Sequence, residues 1–296
     1  MNPLRIPHIV SLYRRGRAAS RAAEAEGCSE MHFDHFGRSV GWRLARRGSR
    51  RCVDYLVHPV PCVRYFEFAF CQEHLDPNAR EFLDVASPRL FSIWLASQRP
   101  AATIRIINPD PPDFRSTRAA VKALSLTNMS VEAAAVDALR ERPSSFDCVY
   151  SISVVEHIAG DYDDRDAVRW MFDALRPGGR LLLTVPVDRV ARDEYRERRD
   201  YGTQSLGQGE RYFFQRFYDE RTLRERIIDS VGREPARVQF LGEVRPGVFD
   251  EYIRRWMSEG KDTTVDDALL YAREFRRVEA MADLPGVGIA GLVFIK

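Results

Sequence analysis

A polar pair closes an apolar run near the middle of the chain: Cys148 to Val155 is followed by Glu156 and His157. An unperturbed imidazole titrates near neutrality, so His157 is suited to take a proton from an alcohol or phenol acting as a nucleophile. Other polar residues stand at the ends of other apolar runs. Asp84 lies in REFLDVA, Asn108 and Asp110 follow TIRII, and Asp137 follows VEAAAV. A carboxylate in such a place can accept two hydroxyl protons, whereas an amide oxygen has less charge to offer. Around Ala86 and Ser87 a helix start could present backbone N–H groups to a carboxylate, although Pro88 supplies no donor.

These side chains need strands that end where they begin. Short apolar runs predict strands at Glu81 to Ala86, Thr103 to Ile107, Val131 to Val136, Cys148 to Val155, Leu181 to Val185, Arg237 to Leu241 and Ile289 to Ile295. Helical periodicity falls between them, at Ser87 to Gln98, Ser116 to Ser125 and Asp166 to Leu175. Ser87 is expected to cap the first of these, with Pro88 at its first helical position. Asp219 caps a further helix, with Leu223, Ile227 and Val231 on one stripe and Gly232 as its stop. Strands alternating with helices predict a parallel sheet covered on both faces, and such sheets bind ligands at the C-terminal ends of their strands.

Composition excludes several classes. A formal net charge of +2 over 296 residues argues against nucleic acid or a membrane as a chain-wide partner. Only Lys122, Lys261 and Lys296 among the 45 basic residues are lysines, a skew that makes single arginines poor clues. The five cysteines form no CxxC pair and no even set, so neither a disulfide framework nor a zinc site is expected. With no apolar signal core and no run of about 18 apolar residues, the expected location is cytoplasmic, without a transmembrane segment. Residues 1–51 carry 11 arginines against four acids together with Tyr13, Phe33, Phe36 and Trp42, which reads as a solvated helical extension packing loosely on the core.

FDCVYSISVVEH, a helical spacer and LRPGGRLLLTVP, spanning Phe146 to Pro186, resemble the second half of a class I S-adenosylmethionine-dependent methyltransferase core. The resemblance implies an α/β fold: a seven-stranded Rossmann-like sheet flanked by helices, its final strand antiparallel. An N-terminal helical extension and connector (1–78) precede the methyltransferase-like domain (79–296), which carries a helical insertion at about 245–284. The resemblance also implies the cofactor S-adenosylmethionine. Asp84, Ala86 and Ser87 would form the methionine loop, though Ala86, Pro88 and Leu90 replace its usual glycines. Asn108 by register, or Asp110 by chemistry, would hold the ribose. Asp137 and the backbone of Ala138 would face the adenine, and Ser151, Ile152 and Ser153 would pass the methionine moiety, largely through their backbone. Each has a structural alternative: Asp110 and Asp113 can organise a proline-rich turn, and Asp137 can cap the next one.

Glu156 and His157 would meet the acceptor at the transferable methyl, or would only cap the next helix. About 187–218 resembles a substrate-covering lid, in which Tyr201 and Tyr212 could stack on a sugar or aromatic ring. Phe249, Tyr252, Ile253 and Trp256 share one helical face, which the periodicity assigns to packing. The leading expectation is O-methylation of a small metabolite or glycan. A non-catalytic methyltransferase-like binding or regulatory protein is the alternative, and a nicotinamide dehydrogenase is disfavoured because no GxGxxG follows the first strand. The acceptor's identity and the oligomeric state are left open.

Overall fold

The run EFLDV forms β1 (Glu81–Val85) and TIRII forms β2 (Thr103–Ile107), paired in parallel with Asp84 opposite Ile106. The computed structural model describes residues 6–201 and 210–296. β3 (Met129–Glu132) lies beyond β2, while β4 (Phe146–Ile152) and β5 (Leu175–Val187) lie on the other side of β1. A separate antiparallel pair, β6 (Arg192–Arg196) and β7 (Tyr212–Phe217), follows. The main sheet is completed by β8 (Arg237–Glu243), β9 (Phe275–Val278) and β10 (Gly288–Ile295).

The strand order is β3-β2-β1-β4-β5-β10-β8-β9, so the sheet has eight strands rather than seven. β10 runs antiparallel to both β5 and β8, the expected reversal of the final strand. The additional strand, β9, pairs with the outer edge of β8, and only Phe275 of its FRRV is buried. Edge strands of this kind carry little apolar pattern, which is why it was not expected. β3 ends at Glu132 rather than Val136 because its partner ends too: Ile107, the last residue of β2, pairs with Glu132. Val136 instead opens a 3₁₀ turn to Glu141. β4 likewise stops at Ile152, short of Val155, which enters the turn Val155–His157.

Helices cover both faces. α5 (Arg89–Gln98) and α6 (Pro111–Leu124) share one core with β1 and β2. α7 (Asp164–Asp173) lies in the other, beside a helical run made of α8 (Glu220–Leu223), a π turn (Arg224–Ile228) and α9 (Asp229–Val231). As expected, Asp219 caps this run by accepting from the Thr222 N–H, Leu223, Ile227 and Val231 are buried, and Gly232 stops it at φ 70°.

The N-terminal helices do not pack loosely. α1 (Ile6–Ala25), α2 (His32–Arg46), α3 (Cys52–Val57) and α4 (Arg64–His74) place Phe33, Phe66, Phe68 and Phe70 in the same core as Phe82, Ile104 and Leu182. Gly291 on β10 shows how close α4 comes, since a Cβ there would stand 2.8 Å from the Phe70 ring. A buried Arg38–Asp34 pair, to which Ser20 and the Tyr65 hydroxyl donate, ties the layer together. The arginine-rich pattern exposed one face of these helices and said nothing of the aromatic face beneath it. The insertion adds α10 (Val248–Glu259) and α11 (Asp267–Glu274), the latter packed on α1. Among the described residues no helix is long and apolar enough to cross a membrane.

Candidate active site

At the C-terminal end of β1 the chain turns through Ala86 at φ 53°, a left-handed conformation that glycine adopts without penalty and alanine does not. Ala86 therefore holds a bend suited to glycine, with a methyl group on it. Ser87 does not cap α5. Its N–H donates to Asp84 Oδ1 at 2.8 Å and its hydroxyl accepts from the Ile152 N–H at 3.1 Å, while Pro88 occupies the cap position without a side-chain bond. Ser151 donates to the Val85 carbonyl, a second clamp between β4 and the loop. Asp84 is wholly buried; its second oxygen accepts from Ser92, whose hydroxyl also meets the Tyr150 hydroxyl at 2.8 Å. Burial raises the Asp84 carboxyl to about 6. Asp84, Ser87, Ser151 and Ile152 thus shape the loop from behind.

In front of the loop is a cavity of about 330 Å³ at the ends of β1, β2 and β4. It brings together Ala86, Asn108, Asp110, His157 and Tyr201 of the expected residues. Asn108 is committed to the turn: its Oδ1 accepts from the Asp110 N–H at 2.9 Å and its Nδ2 donates to Asp113 at 2.8 Å. Asp110 caps α6, accepting from the Asp113 N–H at 3.0 Å, and also lines the cavity. The turn-organising role and the cavity-facing role coexist at Asp110. Asp137 is exposed and Ala138 half-buried on the 3₁₀ turn after β3; their neighbour Val136 lines the cavity, and the Asp137 charge helps to raise Tyr162, another lining residue. Ser153, expected beside the methionine moiety, lines the cavity too, whereas Ile158, Asp161 and Tyr162 were not anticipated; the signal available was their adjacency to the Glu156–His157 pair.

A second cavity, about 380 Å³, lies beyond His157. Ser153, His157 and Tyr201 line both cavities and form their shared wall. Glu156 lines only the second. The wall is held from the far side by β7. The Tyr218 hydroxyl donates to buried Asp164 at 2.7 Å, and Arg226 donates to the same carboxylate at 2.9 Å. So placed, the Phe214 carbonyl accepts from His157 Nδ1 at 2.5 Å. A carbonyl can only accept, so the proton sits on Nδ1 and Nε2 keeps its lone pair. Burial lowers His157 to about 4, which keeps the ring neutral. Glu156 Oε1 is 3.8 Å from Nε2, and burial raises the Glu156 carboxyl to about 8.

The second cavity also extends the reading of the insertion. Phe249, Tyr252, Ile253 and Trp256 of α10 line it, and Val248 is the residue of that helix that is buried. Helical periodicity identified a common face that packs in part, Phe249 against Phe217 and Tyr252 against the core, and in part borders the cavity. Arg64 of α4 and Arg196 of β6 complete the wall, each in an ion pair, to Glu67 at 2.5 Å and to Asp200 at 2.7 Å. Of the lid aromatics, Phe213, Phe214, Phe217 and Tyr218 join the core. Tyr201 stacks on Phe214 with its ring 7° from parallel, and Tyr212 is half-buried outside both cavities. Part of the expected lid, 202–209, lies outside the described residues.

Residues 83–183, from β1 to β5, match the family described as "Methyltransferase domain". Among solved structures, coclaurine N-methyltransferase, crystallised with N-methylheliamine and SAH, has a TM-score of 0.53 at 10% identity, over 97% of this chain and 94% of that one. The [4+2]-cyclase SpnF has a TM-score of 0.48 at 13% identity, over 78% of this chain and 79% of its own. Geranyl diphosphate methyltransferase, solved with SAM, has a TM-score of 0.47 at 14% identity, over 77% and 84%. No curated protein matches the chain in sequence. Over residues 83–183 this chain is therefore similar to a methyltransferase domain, and it shares its fold with coclaurine N-methyltransferase.

Proposed function

We propose that the protein methylates an oxygen of a small-molecule acceptor, a metabolite or glycan, drawing on S-adenosylmethionine in the first cavity and binding the acceptor in the second. The residues present fit the cofactor. The left-handed turn at Ala86 lets the backbone approach a ligand, and Asp110 offers a carboxylate for a diol at the same rim. A cavity of about 330 Å³ is within the range of small-molecule sites, about 300–1,000 Å³. When bound, S-adenosylmethionine supplies an electrophilic methyl group on a sulfonium sulfur.

His157 supports an oxygen acceptor best. Its ring belongs to both cavities, its Nδ1–H is committed to the Phe214 carbonyl, and its Nε2 is the available base. An acceptor hydroxyl facing Nε2 would pass its proton to the imidazole as its oxygen took the methyl group, the carbon–sulfur bond breaking and S-adenosylhomocysteine leaving. The Phe214 carbonyl then holds the imidazolium through the same Nδ1–H. Tyr201 and Phe214 provide a flat apolar surface against which an acceptor can be oriented.

The single observation that carries this reading is the position of His157 in the wall common to the two cavities. Calorimetric titration with S-adenosylhomocysteine tests the cofactor cavity directly. Binding in the micromolar range is expected, and absence of binding would refute the reading. Turnover is then followed as S-adenosylhomocysteine formed from S-adenosylmethionine with a panel of hydroxylated acceptors.

A further inference from the structure

Beside the second cavity stands a buried polar atom without a partner among the described residues. Among the described residues, Glu156 Oε2 has no hydrogen-bond partner, although Glu156 is 1% exposed. A buried carboxyl oxygen left without a donor is costly, and native structures rarely keep one unless something fills it. Glu156 lines the cavity, so the missing donor can be supplied from there. The nearby Ser153 hydroxyl does not supply it, because its proton goes to Glu67.

The charges around the cavity point to the sign of the missing partner. Arg64 and Arg196 are the cations among the described lining residues. Arg64 is answered by Glu67, and Arg196 by Glu194 at 3.1 Å and Asp200 at 2.7 Å. Both guanidinium charges are therefore matched before Glu156 is counted, and Glu156, which burial holds protonated, is an acid that a neighbouring cation would ionise. Phe249 and Trp256 add aromatic faces, which attract cations and suit neutral rings but offer nothing to an anion. A bound anion would find both guanidinium groups already paired; a bound cation would give the Glu156 carboxylate its partner.

We propose that the acceptor carries a protonated amine close to the hydroxyl that is methylated, the amine seated against Glu156 and the aromatic walls and the hydroxyl facing His157 Nε2. The 3.8 Å between Glu156 Oε1 and His157 Nε2 requires the two groups to be near neighbours, as on an amino alcohol or an ortho-substituted phenol. This inference rests on the O-methyl-transfer reading above and narrows its substrate class.

Three probes of one shape separate the charges: 2-hydroxybenzylamine, 2-hydroxybenzyl alcohol and salicylate. Each is titrated into the full-length protein saturated with S-adenosylhomocysteine. The amine is expected to bind at least tenfold more tightly than the alcohol, and salicylate more weakly still. In Glu156→Gln, which keeps the size of the side chain, the preference for the amine should vanish. The affinity for S-adenosylhomocysteine should stay within twofold, which also shows that the variant is folded. An unchanged ranking in Glu156→Gln, or no preference for the amine in the wild type, including no binding of any probe, would overturn the proposal. Failure of S-adenosylhomocysteine to bind would instead count against the cofactor reading, because that ligand is assigned to the first cavity, which Glu156 does not line. With S-adenosylmethionine in its place, the methyl group is expected on the phenolic oxygen by mass spectrometry; a product methylated on nitrogen would refute the assignment of the hydroxyl to His157.

Discussion

His157 Nδ1 donates to the carbonyl oxygen of Phe214 at 2.5 Å, a bond between residues 57 apart in the chain. It selects one tautomer and turns Nε2 toward the wall between the two cavities. Replacing His157 by Ala removes that base and should lower kcat about 100-fold or more, with S-adenosylhomocysteine affinity nearly unchanged. Single-turnover measurements separate the two effects. A kcat within threefold of the wild type would remove His157 from proton transfer.

The acid limb of the rate profile should be displaced for the same reason. His157 is lowered to about 4 by burial, so the base is deprotonated at any pH well above that. The kcat/KM profile should therefore show no loss attributable to this imidazole between pH 6 and 7, where an exposed histidine would titrate. A limb near pH 6.5 that disappears in His157→Ala would contradict the depressed value.

Glu156 should make stability depend on pH in the unliganded protein. Its folded value, about 8, lies above the model-peptide value of 4.5, so the folded state holds a proton that the unfolded state has released. Stability must then fall as pH rises from about 4.5 through 8, and level off above. Arg64, Glu67, His157, Tyr201 and Tyr218 are the titratable groups near it, and Arg64 is the one that favours its charged form. Glu156→Gln should be close to neutral at pH 5 and more stable than the wild type by roughly 2–4 kcal/mol at pH 9. Urea midpoints at the two pH values measure the difference; equal midpoints at pH 9 would show that Glu156 is not held protonated.

Ala86 offers a test in the opposite direction from most mutations. At φ 53° the methyl group costs energy that glycine avoids, so Ala86→Gly should stabilise the protein by about 1 kcal/mol. Ala86→Val, with a branched side chain at the same angle, should destabilise it by more. Thermal midpoints with and without S-adenosylhomocysteine report both the strain and any gain in cofactor affinity.

Asp110 carries two duties that substitution can separate. Asn caps a helix about as well as Asp, so Asp110→Asn should leave the melting temperature within about 2 °C of the wild type. The lost charge should weaken S-adenosylhomocysteine about tenfold, the scale of a charge-assisted hydrogen bond. Asp110→Ala should lose the cap as well, about 1 kcal/mol. Equal affinities for all three proteins would confine Asp110 to the turn.

Much of the scaffold was legible because its signals are local. Five-residue apolar runs made β1 and β2, and Asp219, Leu223 and Gly232 marked a helix from cap to stop. β6 and β9 were not legible, since RDEYR and FRRV carry no apolar alternation and become strands only against β7 and β8. The stripe Phe249, Tyr252, Ile253 and Trp256 was recognised as a face, yet its periodicity could not say that a cavity stood opposite.

The sequence by itself determined the order of strands and helices from β1 to β5, the βαβ unit from Phe146 to Pro186 and the placement of Glu156 and His157 after a strand, because each depends on residues a few positions apart. Tertiary structure alone decided that Asp84 faces the core, that Asn108 is spent on a turn, and that Glu156 is left with an unpartnered oxygen beside a second cavity. It also set the tautomer of His157 through Phe214. Those outcomes depend on which distant donors, acids and rings the packing brings within a few ångströms, and no spacing along the chain encodes that distance.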